Sequence, residues 1–261
     1  MKPGSALITG AGKRLGRAMA LDLAKDGWNV AIHYNSSDTG ANDVAAEARA
    51  MGVRAEVVQA DLLDWDETAA LVPRAVEALG ASLTLLVNNA SIFEYDRIDT
   101  FTRSGWDKHF GSNLRAPMQL TQAFAEQAPD PEKDGNGEPV AQAAIVNMID
   151  MRVRKPTPEF TTYSVAKHGL WAFTQMAAQG LAPKIRVNGI GPGPTMQGAR
   201  QSAEHFARQR AATILERGSD PGEICAALRF LLNINGLTGQ LLCLDGGQHL
   251  AWKTPDVMGV E

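Results

Sequence analysis

Tyr163 and Lys167 stand four residues apart in the stretch TTYSVAKHG, a spacing that puts both side chains on one face of a helix. An ammonium beside a phenol favours the phenolate, so such a pair holds a hydroxyl ready to pass a proton. Upstream, the apolar run Ala144-Ile145-Val146 leads through Asn147 to Asp150, a carboxylate at the end of an expected strand and aimed at the same place. Near the start of the chain, Thr9-Gly10-Ala11-Gly12-Lys13-Arg14-Leu15-Gly16 joins a short apolar strand to helical periodicity. The first turn of a helix offers unpaired N–H groups and a partial positive charge, which suit a pyrophosphate. Glycines let the backbone come close to it and take φ > 0. Such turns also arise from packing alone, but this one opens a βαβ unit, the context in which it reads as a dinucleotide site.

The tract after the second strand bears on which dinucleotide. A NAD-preferring site usually carries an acid there to accept from the ribose 2′-OH. His33-Tyr34-Asn35-Ser36-Ser37 has none before Asp38, so a 2′-phosphate would meet donors rather than a repelling carboxylate. Lys13 is either a contact or a solvated surface lysine. Arg14 is the better placed of the two, because its guanidinium can fork onto a phosphate and its turn must approach the cofactor. NADPH is expected over NADH.

These groups need strand ends and helix starts to hold them. Strands are expected at 5–8, 28–33, 54–59, 83–88, 144–148, 185–190 and 241–244, and helices at 14–26, 39–51, 66–79, 106–125, 161–182 and 219–233. Their alternation predicts an α/β fold: a single doubly wound, Rossmann-type parallel sheet with helices on both faces and right-handed crossovers. The polar segment APDPEKDGNGEP at 128–139 reads as a surface loop inserted in one domain spanning 1–261.

Composition narrows the partners. The 261 residues are 44% hydrophobic and 21% charged, enough to bury a sizeable core. A formal charge of −4 without a basic run argues against nucleic acid. No apolar stretch approaches the length of a membrane span, and the N-terminus MKPGSALITGAG enters a strand without a signal-peptide pattern. Cys225 and Cys243 lack metal-ligand spacing and read as buried reduced thiols of a cytoplasmic protein. No metal site is expected, and a small molecule is the default partner.

Taken in order, Thr9-Gly10-(x)3-Arg14-x-Gly16, Asn88-Asn89-Ala90, Asn113, Tyr163-(x)3-Lys167 and Pro192-Gly193 resemble the short-chain dehydrogenase/reductases over nearly the whole chain. The resemblance implies Tyr163 as general acid, with Lys167 lowering its pKa and binding the nicotinamide ribose. It implies Asn113 as support for a relay water, against which stands an ordinary polar residue inside a helix. It implies cofactor contacts from Gly10, Lys13, Arg14, Leu15 and Gly16 in the glycine turn and from His33, Tyr34, Asn35 and Ser36 after the second strand. Asp61 and Leu62 would meet the adenine, Asn88, Asn89, Ala90 and Ser91 would line the cofactor after the fourth strand, and Pro192 and Gly193 would close its far end.

Most of that family has a serine where Asp150 stands, donating to a substrate carbonyl. An ionised aspartate cannot donate and repels an oxyanion. Either the site is reshaped and Asp150 incidental, or the substrate offers N–H donors or a ring nitrogen that needs a proton. The pteridine reductases resemble this chain on the second branch: arginine in the glycine turn (Arg14), Asn89-Ala90-Ser91 followed by an aromatic (Phe93), aspartate for serine (Asp150) and an aromatic before the tyrosine (Phe160). That resemblance implies a pterin stacked on Phe93 and contacted by Arg14, Ser91, Asp150, Phe160 and Tyr163. The alternatives are an ordinary ketone or alcohol substrate, or a cofactor-binding protein without turnover. Phe93 is alternatively a packed loop aromatic, and Phe160 a hydrophobic staple. A homotetramer or homodimer is implied, with the tail from Gln248 reaching a neighbouring subunit.

Overall fold

The computed structural model describes residues 1–198, 201–254 and 258. Its chain begins with the unit that the site depends on: β1 (Ser5–Ile8), α1 (Arg14–Lys25), β2 (Asn29–Tyr34), α2 (Asp38–Ala50) and β3 (Ala55–Gln59). In β1, Ala6 and Ile8 join the hydrophobic cluster on one face of the sheet and Leu7 joins that on the other, all with no exposed surface. A strand covered on both faces has no polar side to show, which is why its sequence is continuously apolar rather than alternating.

The second half of the sheet follows α3 (Trp65–Leu79): β4 (Leu85–Asn88), α4 (Arg103–Phe110), a single π-helical turn at Gly111–Arg115, and α5 (Ala116–Gln127). The chain expected to form a surface loop at 128–139 folds back as an antiparallel hairpin of β5 (Glu132–Lys133) and β6 (Pro139–Val140). Asp134 nucleates its turn by accepting from the N–H groups of Asn136 and Glu138, the local bonding that makes Asp a turn residue. Next come β7 (Ala143–Met148), α6 (Thr161–Gly180), β8 (Ile185–Pro192), α7 (Ala203–Ala211), α8 (Pro221–Asn233) and β9 (Leu241–Leu244). Helix α7 was not anticipated from sequence. It buries none of its residues, so it carries no apolar stripe for periodicity to detect.

Seven parallel strands lie in the order β3-β2-β1-β4-β7-β8-β9. Helices cover both faces, as the two clusters show: α1, α2 and α8 contribute to one, and α3, α5 and α6 to the other. Helix starts are chemically marked. Asp220 and Glu223 form a reciprocal capping box with Pro221 in the first turn of α8. Both cysteines are unpaired, Cys225 buried and Cys243 half-buried. No helix is long and apolar enough to cross a membrane among the described residues. Positions 255–257 and 259–261 of the tail lie outside the described residues.

Candidate active site

The strand order reverses between β1 and β4, and a cleft of about 510 Å³ opens at the carboxyl ends of the strands there. Thr9 ties the two strand ends together: its hydroxyl oxygen accepts from the N–H groups of Asn89 and Ala90, each at 2.9 Å. Asn89 Nδ2 returns a bond of 2.8 Å to the Thr9 carbonyl. Gly10 adopts φ 64°, and a Cβ at Gly16 would lie 2.4 Å from the Gly10 carbonyl oxygen. No side chain fits there, so the start of α1 can lie against the strand-end turn.

His33 lines the cleft and holds this turn through both ring nitrogens. Its Nδ1 accepts from the Gly10 N–H at 3.0 Å, and its Nε2–H donates to the Ala60 carbonyl at 3.0 Å. Burial pushes its pKa down to about 4, so the ring stays neutral and both nitrogens are spent on the fold. Lys13, the residue before α1, gives the helix no side-chain cap, leaving the turn that lines the cleft able to bond an anion. Tyr34, Asn35, Ser36 and Ser37 line the same cleft with no carboxylate among them, and Asp61 and Leu62 complete that end. Arg14 takes φ 54° and crosses the cleft: its guanidinium donates to the carbonyls of Gln197 (2.7 Å) and Met196 (3.2 Å). Asn88 is not in the cleft. Its amide turns into the sheet and donates to Asn147 Oδ1 at 2.8 Å, while Asn147 donates to Thr174.

On the other side of the cleft, Tyr163 Oη donates to Asp150 Oδ2 at 2.9 Å, and Asp150 Oδ1 accepts from the Arg152 N–H at 2.9 Å. Lys167, with 1% of its surface exposed, donates from Nζ to the Met148 carbonyl at 2.7 Å. Burial drives the three groups toward their neutral forms. The Asp150 carboxyl is pushed up by burial, against the pull of the Arg152 N–H and guanidinium. The Lys167 amine falls to about 8, by burial, with Asp150 acting the other way. The Tyr163 phenol is pushed well above its ordinary value, first by burial and then by the Asp150 charge, outweighing Arg152 and Ser91. The expected depression of the phenol by Lys167 is therefore overridden first by burial and then by the carboxylate it is bonded to.

Asn113 sits on the π-turn with no exposed surface, and both polar atoms of its amide bind Ile92: Oδ1 accepts from the N–H at 3.1 Å and Nδ2 donates to the carbonyl at 2.8 Å. It fastens the segment after β4. Phe93 lines the cleft from that segment and packs edge-on to Tyr163, with centroids 4.6 Å apart at 73°. Phe160 does not line the cleft. It stacks on Phe93 at 4.3 Å and 11°, with the Arg152 guanidinium 4.9 Å from its own ring centroid. At that separation no ring fits between the two phenylalanines, so Phe160 supports Phe93 rather than facing a ligand with it.

A family model described as short chain dehydrogenase matches residues 5–208, across both halves of the cleft. The chain belongs to the short-chain dehydrogenase family. Among relatives of this short-chain dehydrogenase, the 3-oxoacyl-acyl-carrier-protein reductase FabG of Staphylococcus aureus is 30% identical over 251 residues, covering 94% of this chain and 98% of the relative. Among solved structures, FolM alternative dihydrofolate reductase 1 of Brucella suis in complex with NADP is 39% identical with a TM-score of 0.89, covering 97% of this chain and 98% of that one. A blue fluorescent protein from a metagenomic library in complex with NADPH is 28% identical with a TM-score of 0.84, covering 94% and 97%.

The structure also brings to this site groups that the sequence did not mark. Met148, Ile149, Ser112, Thr195 and Met196 line the cleft. Behind Tyr163 lies a buried polar set, Asp96, His109 and Thr162. Asp96 and Thr162 are 66 residues apart, and His109 and Thr162 are 53 apart. No local spacing signals such contacts.

Proposed function

We propose that this protein is an NADPH-dependent reductase that transfers hydride to a C=N bond of a pterin, a dihydropterin or a dihydromonapterin-like compound. The observation that carries this reading is the 2.9 Å bond between Tyr163 and Asp150, at a position where a carbonyl reductase needs a donor. The uncapped start of α1 suits the pyrophosphate, and the acid-free tract Tyr34–Ser37, with exposed Lys13 nearby, suits a 2′-phosphate. The NADP and NADPH complexes of similar folds support the same cofactor. When bound, the nicotinamide supplies the hydride.

The residues of the chain supply the proton and the orientation. Asp150 accepts from N–H groups on the amidine-like edge of the substrate, which a serine would satisfy less strongly. Tyr163, its phenol held protonated by burial and by the adjacent carboxylate, gives a proton to the ring nitrogen next to the carbon that receives hydride. The phenolate left on Tyr163 lies beside the Lys167 ammonium and takes its proton back from solvent, while Asp150 remains an acceptor throughout. Lys167 keeps a positive charge under the pair below about pH 8. Phe93 offers the flat face on which a heteroaromatic ring stacks.

A second reading, reduction of an ordinary ketone with Asp150 incidental, is favoured by the 30% identity to a 3-oxoacyl reductase. A protonated Asp150 could then donate to the carbonyl. Following NADPH oxidation with dihydrobiopterin, dihydromonapterin, simple ketones and a 3-oxoacyl thioester separates the two. Turnover of ketones or the thioester without any pterin would overturn the first reading.

The proposal treats 1–261 as one reductase domain acting in the cytoplasm as a homodimer or homotetramer. Exposed Trp65, Trp106, Met118 and Met176 support self-association, lining one apolar groove between α4, α5 and α6. Native mass measurement tests it.

A further inference from the structure

Asp96, His109 and Thr162 are 7%, 0% and 1% exposed, and none of them lines the cleft. Most buried polar groups are hydrogen-bonded, and a fully satisfied network of them fixes the geometry around it. Here the bonding assigns each proton. Thr162 gives its N–H to Asp96 Oδ1 at 3.2 Å and its hydroxyl hydrogen to Asp96 Oδ2. The Thr162 oxygen must then accept, so His109 Nδ1 carries the hydrogen that spans the 2.7 Å between them. His109 Nε2 is left bare and accepts from the Glu94 N–H at 3.0 Å. Burial pushes the His109 pKa down, in keeping with a neutral ring.

The ends of this network abut the site. Thr162 is the residue before Tyr163, and Glu94 is the residue after Phe93. The Asp96 carbonyl accepts from the Phe160 N–H at 2.8 Å. Helix α6 has no cap from Phe160, its own preceding residue, which sits at φ 57°. Asp96 does the capping from another segment. Both aromatic-bearing segments of the site, the Phe93 segment and the start of α6, thus answer to one buried set of bonds. His109 and Tyr163 rings also pack edge to face at 6.0 Å.

We propose that Asp96, Thr162 and His109 are positioning residues with two separable arms: the Thr162 arm sets Tyr163 against Asp150, and the Glu94 arm sets the face that Phe93 presents to substrate. The inference rests on Tyr163 being the proton donor of the proposed reductase. It does not depend on which substrate is reduced.

Two variants separate the arms: Thr162→Val removes the hydroxyl's bonds to both Asp96 and His109, and His109→Asn cuts the Glu94 arm alone. Thr162→Val keeps the shape and removes the hydroxyl. His109→Asn places an amide nitrogen where Nδ1 stood, keeping the bond to Thr162 and leaving Glu94 N–H without an acceptor. Each is assayed with whichever pterin or ketone the wild-type enzyme turns over, alongside binding of NADPH. Thr162→Val is expected to lower kcat about tenfold or more and to move the pH limb of kcat, since small misplacements of a reacting group are costly. His109→Asn is expected to raise substrate KM several-fold, roughly 3–10-fold, with a smaller effect on kcat. NADPH affinity stays within about twofold in both, because the cofactor half of the cleft is untouched. Thr162→Ser restores the wild-type values. A purely structural role would lower thermal stability while leaving kcat, KM and pH profile per folded molecule unchanged, and that result overturns the proposal. Should Thr162→Val not fold, the His109→Asn and Thr162→Ser pair decides it: an unchanged KM in the first, or tenfold loss in the second, is equally fatal. A failure of pterin turnover with ketone turnover intact would strike the substrate assignment and leave this test standing.

Discussion

Two strand ends face each other across the cleft with opposite electrostatic character. After β2, the residues that line the cleft carry no acid before Asp38; after β7, Asp150 places a carboxylate against Tyr163. The first end leaves room for negative charge brought by a ligand. The second sets negative charge against a proton donor and so asks the ligand for N–H groups. The tract after β2 adds no acid to the one that Asp61 brings to that end from the turn after β3, whereas at the β7 end the carboxylate is bonded to the proton donor itself, and this difference decides what each half of the cleft can accept.

The most forceful way to break this contrast is Tyr163→Phe, which leaves Asp150 with no phenol to share. Reduction is expected to fall by at least about 100-fold, the scale of a lost general acid, with NADPH binding retained in a fluorescence titration. Asp150→Ser comes next and removes the acid from the end of β7. Pterin reduction should drop by roughly 100-fold while ketone reduction holds or rises; equal loss on both substrates would show that the carboxylate does not choose between them. The pH profile tests the same pair without mutation. Lys167 has its amine lowered to about 8, so it is charged below that pH and neutral above it. The value of kcat/KM should fall about tenfold per pH unit beyond it, as expected for a single required proton. Over the same range Lys167 stabilises the fold increasingly as pH rises from about 8 toward 10.5, because the unfolded chain binds the extra proton. Loss of activity there with no fall in melting temperature separates the two effects. The smallest change is expected from Ser36→Asp, which installs at β2 the acid it lacks. NADPH affinity should weaken by about 1–2 kcal/mol through repulsion near the surface, with NADH affinity equal or better; unchanged preference would mean the tract does not meet the ribose.

The glycine turn and the strand pattern were readable because they are local. Gly10, Gly16 and the apolar run of β1 state their geometry within a few residues, and parallel strands buried on both faces announce themselves by continuous hydrophobicity. Residues whose roles depend on distant partners read less well. His33 lines the cleft as expected, but both its ring nitrogens are spent on Gly10 and Ala60, and the Asn88 amide turns to Asn147 instead of the cleft. Arg14 was expected at the phosphates, and its guanidinium reaches the Met196 and Gln197 carbonyls, 182 and 183 residues away in sequence. Phe160 was expected against the substrate and stands behind Phe93. Helix α7 and the β5–β6 hairpin escaped notice because neither buries an apolar stripe.

The order of turns, strands and helices, the presence of a tyrosine, a lysine and an unusual aspartate, and the absence of an acid after β2 follow from the sequence, since each is a matter of residue type and short-range spacing. What the aspartate does to the tyrosine was decided only by the tertiary structure. Burial and a 2.9 Å bond raise the phenol that the neighbouring lysine was expected to lower, and dielectric and distance are properties of the folded interior that no local pattern encodes.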